Sequence, residues 1–429
     1  MINPKLLRKC TKKISKELLK KGFVFNINKF KKLENKRKKI QIKSEKLRFY
    51  QKKISKMFSK TKTLLEKNNL KIKGIKLSKK IQKYNSILKK IQKKLLNFYL
   101  SIPNILLNDV PIGNNKSFNK IIYCWGKIKK MDFKIKDHVE LGNNIDGFDW
   151  KNSAKISGAN FVVMKKEIAK LYRILSQFML DLHIINHNYI EIYVPYIVHK
   201  DSLYGTGQLP KFNSDLFYVN SEKNRNENNH YLIPTAEVPL TNLVKNTLLQ
   251  EKNLPYMFVS NTPCFRSEST SYGKNFKGLI RLHQFDKVEL VQIVHPKNSF
   301  QALENITFHA EKVLKLLKLP YRKVLLCSEE TNFSSAKTYD LEVWFPSQKS
   351  YKEISSCSNM LDFQSRRIKS RYFDYKKNKN CYVHTLNGSA LAVGRTLAAL
   401  LENYQQSDGS IKVPKILSKK YMNGLKFIK

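Results

Sequence analysis

Residues Cys264–Ile293 read CFRSESTSYGKNFKGLIRLHQFDKVELVQI, and how this stretch divides decides the fold. Its ends, Phe265–Glu268 and Phe285–Gln292, have β-like spacing, with apolar side chains alternating around Val288, Leu290 and Val291. Between them, Ser269–Lys277 is rich in Ser, Gly, Asn and Lys, the composition of a loop. Pairing the two strands about that loop gathers Arg266, Glu268, Arg281, Phe285 and Glu289 near one surface. Two guanidinium groups, two carboxylates and a ring make a poor core but a good nucleotide site. Arginine forks onto phosphate, a ring stacks on a base, and a carboxylate accepts from an amino group. A plain hairpin with surface charges shares the pattern, so the flanking sequence has to discriminate.

Upstream, Thr235, Ala236 and Glu237 lie between Pro234 and Pro239, which restrict the backbone and favour an extended segment; a helix start is the other reading. Leu203–Phe212, LYGTGQLPKF, reads as a glycine-bearing loop that enters a strand, and Ile168–His183 as a helix. Tyr189–Val198 reads as one strand, which Pro195 confines to an edge or interface because it has no N–H for a ladder. Downstream, Ser299–Leu319 is expected to be a helix and Lys337–Trp344 a strand. In YKEISSCSNM, strict alternation puts Glu353 and Ser355 on one strand face and Ser356 on the other. Asn387 and Gly388 read as a turn before a helix of small apolar residues, Ala390–Tyr404, that carries Arg395 near its start. No G-x-x-x-x-G-K-[ST] occurs, and no G-x-G-x-x-G stands between a strand and a helix, so P-loop and Rossmann sites are disfavoured.

Charge is distributed unevenly. The chain of 429 residues carries 81 Lys and Arg against 33 Asp and Glu. Residues 1–100 hold 34 of the basic residues and 4 of the acidic ones. The preponderance of Lys, 69 against 12 Arg, fits an A+T-rich coding sequence, but a general codon bias does not explain the asymmetry. A basic segment of this kind predicts a polyanionic partner, nucleic acid above all. Within it, Leu33, Ile40, Leu47 and Ile54 recur every seven residues, and Leu77, Ile81, Tyr84, Leu88, Ile91, Leu95 and Phe98 step by four and three. These predict two helices folded into an antiparallel coiled-coil arm, with the turn at Asn68, Asn69 and Gly74. Arg37, Ser44 and Gln51 interrupt the first seam. The N-terminal stretch reads as a separate helix that Asn3 caps, Pro4 enters and Gly22 closes. Ser101, Pro103 and Asn104 mark the boundary between a helical domain, 1–103, and a mixed domain, 104–429. The six cysteines show no zinc spacing, and no apolar run of membrane-spanning length exists, which suggests a reduced cytoplasmic protein without structural zinc.

FRSE, a loop and then IRLHQFDKVE resembles motif 2 of the class II aminoacyl-tRNA synthetases, closest to the seryl-tRNA synthetase family of bacterial type. Pro195 matches the motif 1 proline, and the Arg395 helix resembles motif 3. The resemblance runs essentially the whole chain, arm included. It implies an α+β fold: an antiparallel-sheet catalytic domain with helices around it, plus the N-terminal two-helix arm. It also implies ATP-dependent joining of L-serine to tRNA(Ser) through seryl-adenylate, with tRNA(Sec) as a second substrate, by a homodimer whose arm grips the tRNA. ATP with Mg2+ is the implied cofactor.

For single residues the resemblance implies that Arg266, Glu268 and Arg395 are catalytic. Arg266 would clamp the α-phosphate and the activated carboxylate, Glu268 would meet the adenine amino group, and Phe285 and Arg395 would sandwich the ring. Ser267, Arg281, Ile354 and Ser355 join the ATP set, while Glu353 and Ser356 would hold ATP and its magnesium. Because alternation parts those two, a bulge or bend near Ser355 is expected. Serine would be bound by Thr235, Ala236, Glu237, Arg266, Glu289, Asn387 and Ser389, with Glu289 receiving its ammonium. The sequence departs from the family at Ser269 and Thr270, usually Ala-Gly, and at Lys274 and Lys277, often Arg. Thr331–Ala336 lacks the usual glycine. Two other readings are a carrier-protein ligase, whose relatives lack the arm, and a silent tRNA-binding paralogue, which predicts losses among Arg266, Glu268, Glu289, Glu353 and Arg395. None of these is lost.

Overall fold

The computed structural model describes residues 1–219, 230–268 and 278–429. The Ser269, Thr270, Lys274 and Lys277 departures lie outside the described residues. The chain divides into two compact units: Ile2–Leu19 with Phe23–Pro103, and Asn104–Lys429 with Met1 and Lys20–Gly22.

In the smaller unit the expected N-terminal helix is two helices, α1 (Pro4–Lys9) and α2 (Thr11–Leu19), parted at Cys10. Asn3 caps the first by accepting from the Lys5 N–H, 2.9 Å. At the break the Thr11 hydroxyl donates to the Leu7 carbonyl, 2.7 Å, and so satisfies an acceptor of the ended helix. Two long helices follow, α3 (Ile27–Lys60) and α4 (Leu64–Leu100). At 1.5 Å per residue each is about 50 Å long. Their contacts Glu34–Tyr99, Ser44–Asn85 and Gln51–Ser78 run in opposite directions along the two helices, so the pair is antiparallel.

The turn is not at Asn68–Gly74, which lies inside α4, but at Thr61–Thr63. Thr61 and Thr63 are extended, and the Thr63 hydroxyl donates to Glu66, 2.7 Å. A mid-helix Gly costs only about 1 kcal/mol, less than an interrupted seam. Seam contacts are partly polar: Ser44 bonds Asn85 at 2.9 Å and Gln51 bonds Ser78 at 2.8 Å. At one end Phe25, Phe30, Phe98 and Tyr99 cluster, with ring centroids 5.5–6.3 Å apart. Burial works to raise the Glu34 carboxyl there, but hydrogen bonds from Tyr99 and Arg37 prevail and hold it below its usual value.

The larger unit is built on an eight-stranded sheet. In chain order its strands are β1 (Lys120–Trp125), β2 (Ile190–Glu191), β3 (Tyr256–Phe265), β4 (Gln284–Val294), β5 (Tyr321–Leu325), β6 (Lys337–Phe345), β7 (Ser350–Leu361) and β8 (His384–Ala392). Across the sheet the order is β1, β5, β6, β7, β8, β4, β3, β2, and every pair is antiparallel except β2 with β3. The opening hairpin is β3 paired with β4, from Gln284 opposite Phe265 to Ile293 opposite Tyr256. Its first strand starts earlier than expected and ends at Phe265.

Helices α5 (Lys166–His187), α8 (Ser299–Leu316) and α9 (Val393–Tyr404) supply Leu171, Leu175, Ile306, Val313, Leu397 and Leu401 to the main core, together with Val288 and Leu290 of β4. Three further expectations need correction. Tyr189–Val198 is not one strand: β2 and a short strand at Ile197–His199 flank a gap that contains Pro195, which has no N–H for a ladder. Leu203–Thr206 belongs to helix α6 (Lys200–Thr206), which Gly207 closes in the left-handed region at φ 95°, where an added Cβ would meet the Ser334 hydroxyl. The Thr235–Glu237 segment is no extended run; Glu237 opens helix α7 (Glu237–Asn242), and Pro239 is tolerated in its first turn. No helix among the described residues is long and apolar enough to cross a membrane.

Candidate active site

Strand β4 carries the site's logic. Period-two geometry puts Phe285, Lys287 and Glu289 on one face and Val288 and Leu290 on the other, toward the main core. Across the ladder Glu289 faces Ser389 of β8, and Asn387 lies two places further along the same face. Asn387–Gly388 is therefore strand, not turn, and the following helix starts at Val393 rather than Ala390. Gly388 has a packing reason: a Cβ there would lie 2.9 Å from Cys357 Sγ and 3.2 Å from Ile306.

The face opens on a cavity of about 610 Å³. Of the residues expected at the site, Thr235, Glu237, Arg266, Glu268, Arg281, Phe285, Glu353, Ile354, Ser356, Asn387, Ser389 and Arg395 line it. Four do not. Glu289 is fully buried behind the wall and reaches the lining through Asn387 Nδ2 at 2.9 Å and the Ser389 hydroxyl at 3.3 Å. Ala236 packs in a second apolar cluster with Leu240 and Val291. Ser267 turns its hydroxyl to the Ser214 carbonyl, and Ser355 is buried, donating to the Ser389 carbonyl. The bulge falls where it was expected. The register of β6 and β7 passes from Leu341 opposite Ser355 to Glu342 opposite Glu353, leaving Ile354 unpaired. Glu353 and Ser356 thus share the cavity wall.

Cations and carboxylates are interleaved. Arg281 pairs with Glu268 at 2.6 Å. Arg395 donates to the Glu353 carbonyl at 2.7 Å, with its carboxylate 3.4 Å away. The Arg266 backbone N–H donates to His283, extending the hairpin by one bond, while its guanidinium reaches the Pro234 carbonyl and lies 5.2 Å from the Phe285 ring centroid. Glu268 is held at φ 50°, a strained position for a side-chain-bearing residue.

Lys287 was not anticipated from the sequence. Its ammonium, almost wholly buried, bridges Glu289 at 2.6 Å and the Thr235 hydroxyl at 2.9 Å, and it lines the cavity. Alternation with Phe285 and Glu289 was the signal that could have found it. Gln364, also unanticipated, donates to Glu237 at 2.7 Å. Burial, and then the Glu289 charge, pushes the Glu237 carboxyl up to about 7. The buried acceptors without a protein partner among the described residues include Asn387 Oδ1 and Asp340 Oδ1. Asp340 lies opposite Ser356, and burial, then the Glu353 charge, pushes its carboxyl up.

Residues 1–106 match the model of the seryl-tRNA synthetase N-terminal domain, and residues 217–404 match that of the tRNA synthetase class II core domain (G, H, P, S and T). The chain is 55% identical to the serine–tRNA ligase of Buchnera aphidicola subsp. Baizongia pistaciae over the full length of both. The chain belongs to the seryl-tRNA synthetase family. It is a class II aminoacyl-tRNA synthetase, a ligase that joins serine to tRNA. Its fold matches that of the seryl-tRNA synthetase from Pyrococcus horikoshii complexed with ATP, with a TM-score of 0.90 at 32% identity over 100% of this chain and 99% of that one. It also matches the cytoplasmic serine–tRNA ligase from Naegleria fowleri in complex with AMP, at 0.83 and 26% identity over 100% and 96%.

Proposed function

We propose that the 610 Å³ cavity holds ATP and serine together and makes seryl-adenylate before the seryl group passes to tRNA. One observation carries this: a single wall presents Arg266, Arg281 and Arg395 beside a buried carboxylate, Glu289, and the unpartnered acceptor Asn387 Oδ1. Guanidinium groups suit phosphates, and an acidic side chain beside a spare amide acceptor suits an ammonium.

In the first half-reaction a serine carboxylate oxygen attacks the α-phosphorus, and the bond to pyrophosphate breaks. The nucleophile is already an anion, so no general base is required. Arg266 clamps the α-phosphate and the carboxylate, releasing its contact to the Pro234 carbonyl. Phe285 and Arg395 hold the adenine by its faces and Glu268 accepts from its amino group, with Arg281 freed for the outer phosphates. Ser267, Ile354 and Ser355 brace this set from behind or beside the wall. Glu353 and Ser356, hard oxygen donors next to the orphan Asp340 Oδ1, would hold a magnesium ion brought with ATP, which would supply charge neutralisation for the phosphate oxygens. In the second half-reaction the 3′-terminal ribose hydroxyl attacks the seryl carbonyl, and AMP leaves.

Serine's ammonium docks at Asn387, with the buried Glu289 carboxylate behind it supplying the opposite charge. Its hydroxyl is met by Ser389 and the Thr235–Glu237 loop, polar groups that alanine leaves unpaired. Alpha-helices α3 and α4 contact tRNA through their lysines. Two copies pair through a face that includes Ile185, Ile190 and Tyr193, which are 65, 54 and 85% exposed. The setting is the cytoplasm.

Serine-dependent exchange of labelled pyrophosphate into ATP tests the site. Arg266→Ala is expected to lower exchange by on the order of 10³-fold with unchanged circular dichroism. A near-normal rate removes Arg266 from the mechanism. Acylation of total tRNA, read isoacceptor by isoacceptor, shows whether tRNA(Sec) is charged beside tRNA(Ser).

A further inference from the structure

We propose that Phe49 and Tyr50 form a stacking platform for unpaired bases of the bound RNA, a deepening that rests on the reading of α3 and α4 as RNA-binding. Both lie on α3 away from its seam, whose nearest members are Leu47, Gln51 and Ile54. Phe49 is 66% exposed and Tyr50 54%, and their ring centroids are 5.9 Å apart with planes 70° to each other. Neither ring belongs to the seam, and the two in contact present an exposed aromatic surface on which a planar ligand can stack.

The surroundings say which. Lys46 lies one helical turn before both rings and Lys53 one turn after both, so each aromatic face is bracketed by ammonium groups at the spacing that puts side chains on the same side. Lys52 and Lys56 extend the stripe. The near acid, Glu45, accepts from Gln41 at 2.8 Å, and Arg48 is drawn to Asn85 on the partner helix at 3.2 Å, leaving the lysines to face solvent. Ammonium groups track a phosphate backbone without reading sequence, whereas a ring offers its π-face to any base splayed from a stack. An RNA with unstacked bases satisfies both features. A helical protein partner would need a continuous apolar stripe, and the lysines interrupt it.

The test compares two variants of the full chain, Phe49→Ala/Tyr50→Ala and Lys46→Ala/Lys53→Ala, in binding to tRNA at several salt concentrations. The aromatic variant is expected to bind on the order of 10-fold or more weakly per ring with the salt dependence unchanged. The lysine variant is expected to weaken and to flatten the salt slope by about 1.5. Phe49→Trp/Tyr50→Phe should bind like the parent chain, far-ultraviolet circular dichroism should show the helices intact, and serine-dependent pyrophosphate exchange should be untouched in all three. An aromatic variant that binds normally while the lysine variant weakens overturns the platform and leaves the RNA-binding arm standing. Normal binding by both overturns the two readings together. Preference of the parent chain for phosphatidylglycerol vesicles over tRNA also overturns the platform, in favour of a lipid surface.

Discussion

The arm and the catalytic unit treat polar groups in opposite ways. In the arm, most charge goes outward: lysines crowd the surface, one carboxylate, Glu34, is buried at the end with Tyr99 and Arg37, and further along the seam the polar residues are neutral pairs such as Ser44 with Asn85 and Gln51 with Ser78. In the catalytic unit, full charges go inward. Lys287 and Glu289 are buried against each other, with Glu237 beside them. Neutral pairs cost little to bury and can fix register, as single polar seam residues do in coiled coils. Buried ions are expensive unless paired, so they persist where a ligand uses them. One region thus spends its polarity on alignment and solvent contact, the other on chemistry.

The largest test of this contrast is Lys287→Met. Breaking a buried pair by removing one partner costs about 3–5 kcal/mol. The serine KM in pyrophosphate exchange should rise by on the order of 100-fold or more, and the loss should lessen as pH is raised, because a buried carboxylate without its ammonium partner takes up a proton more readily. Lys287→Arg should restore much of the affinity. An unchanged serine KM would show the ion pair to be idle.

Acid separates the regions next. All nine histidines and all three tryptophans lie beyond residue 103. Burial holds His183 down to about 3, and His309 and His384 to about 4. The unfolded chain therefore takes up these protons from about pH 6.5 downward while the folded one does not. This stability is present above pH 6.5 and is lost as pH falls toward 4. For His183 alone the loss is roughly 2–3 kcal/mol by pH 4.5. Tryptophan fluorescence should report weakening of the catalytic unit over that interval, partly offset by Glu237, whose raised carboxyl takes up its proton first in the folded state, and His183→Gln should lessen the weakening. Arm helicity, which depends on no histidine, should hold.

The smallest effect concerns the seam. Ser44→Leu with Asn85→Leu should raise the melting temperature of the arm's helical signal, a gain of about 1 kcal/mol, and leave exchange unaltered. No gain would mean that the polar pair costs the arm nothing.

Much of the site could be read from the chain because β4 obeys a strict period: Phe285 and Glu289 are four residues apart and must share a face. The same rule placed Lys287 there, but a lysine between two motif positions reads as solvent charge until its burial is known. Glu353 and Ser356 illustrate the reverse case. Alternation parted them, and an unpaired Ile354 reunited them on one wall. Local turn signals misled more often. Asn68, Asn69 and Gly74 stayed helical because the facing seam continues through them, and Asn387–Gly388 stayed extended because β4 and β7 pair on either side. Glu237 opened a helix despite flanking prolines, since a proline in a first turn forfeits no bond.

The sequence alone determined the heptad seams, the alternating face of β4 and the excess of cations in the first hundred residues, for these depend on neighbours along the chain and on the geometry of a single helix or strand. Only the tertiary structure decided that Lys287 bonds Glu289, that Asn387 Oδ1 is left without a partner, and that Ser355 turns away while Ser356 turns in. Each of those outcomes depends on which strands become neighbours and in what register, and registry between distant segments is set by cross-strand packing that no local pattern contains.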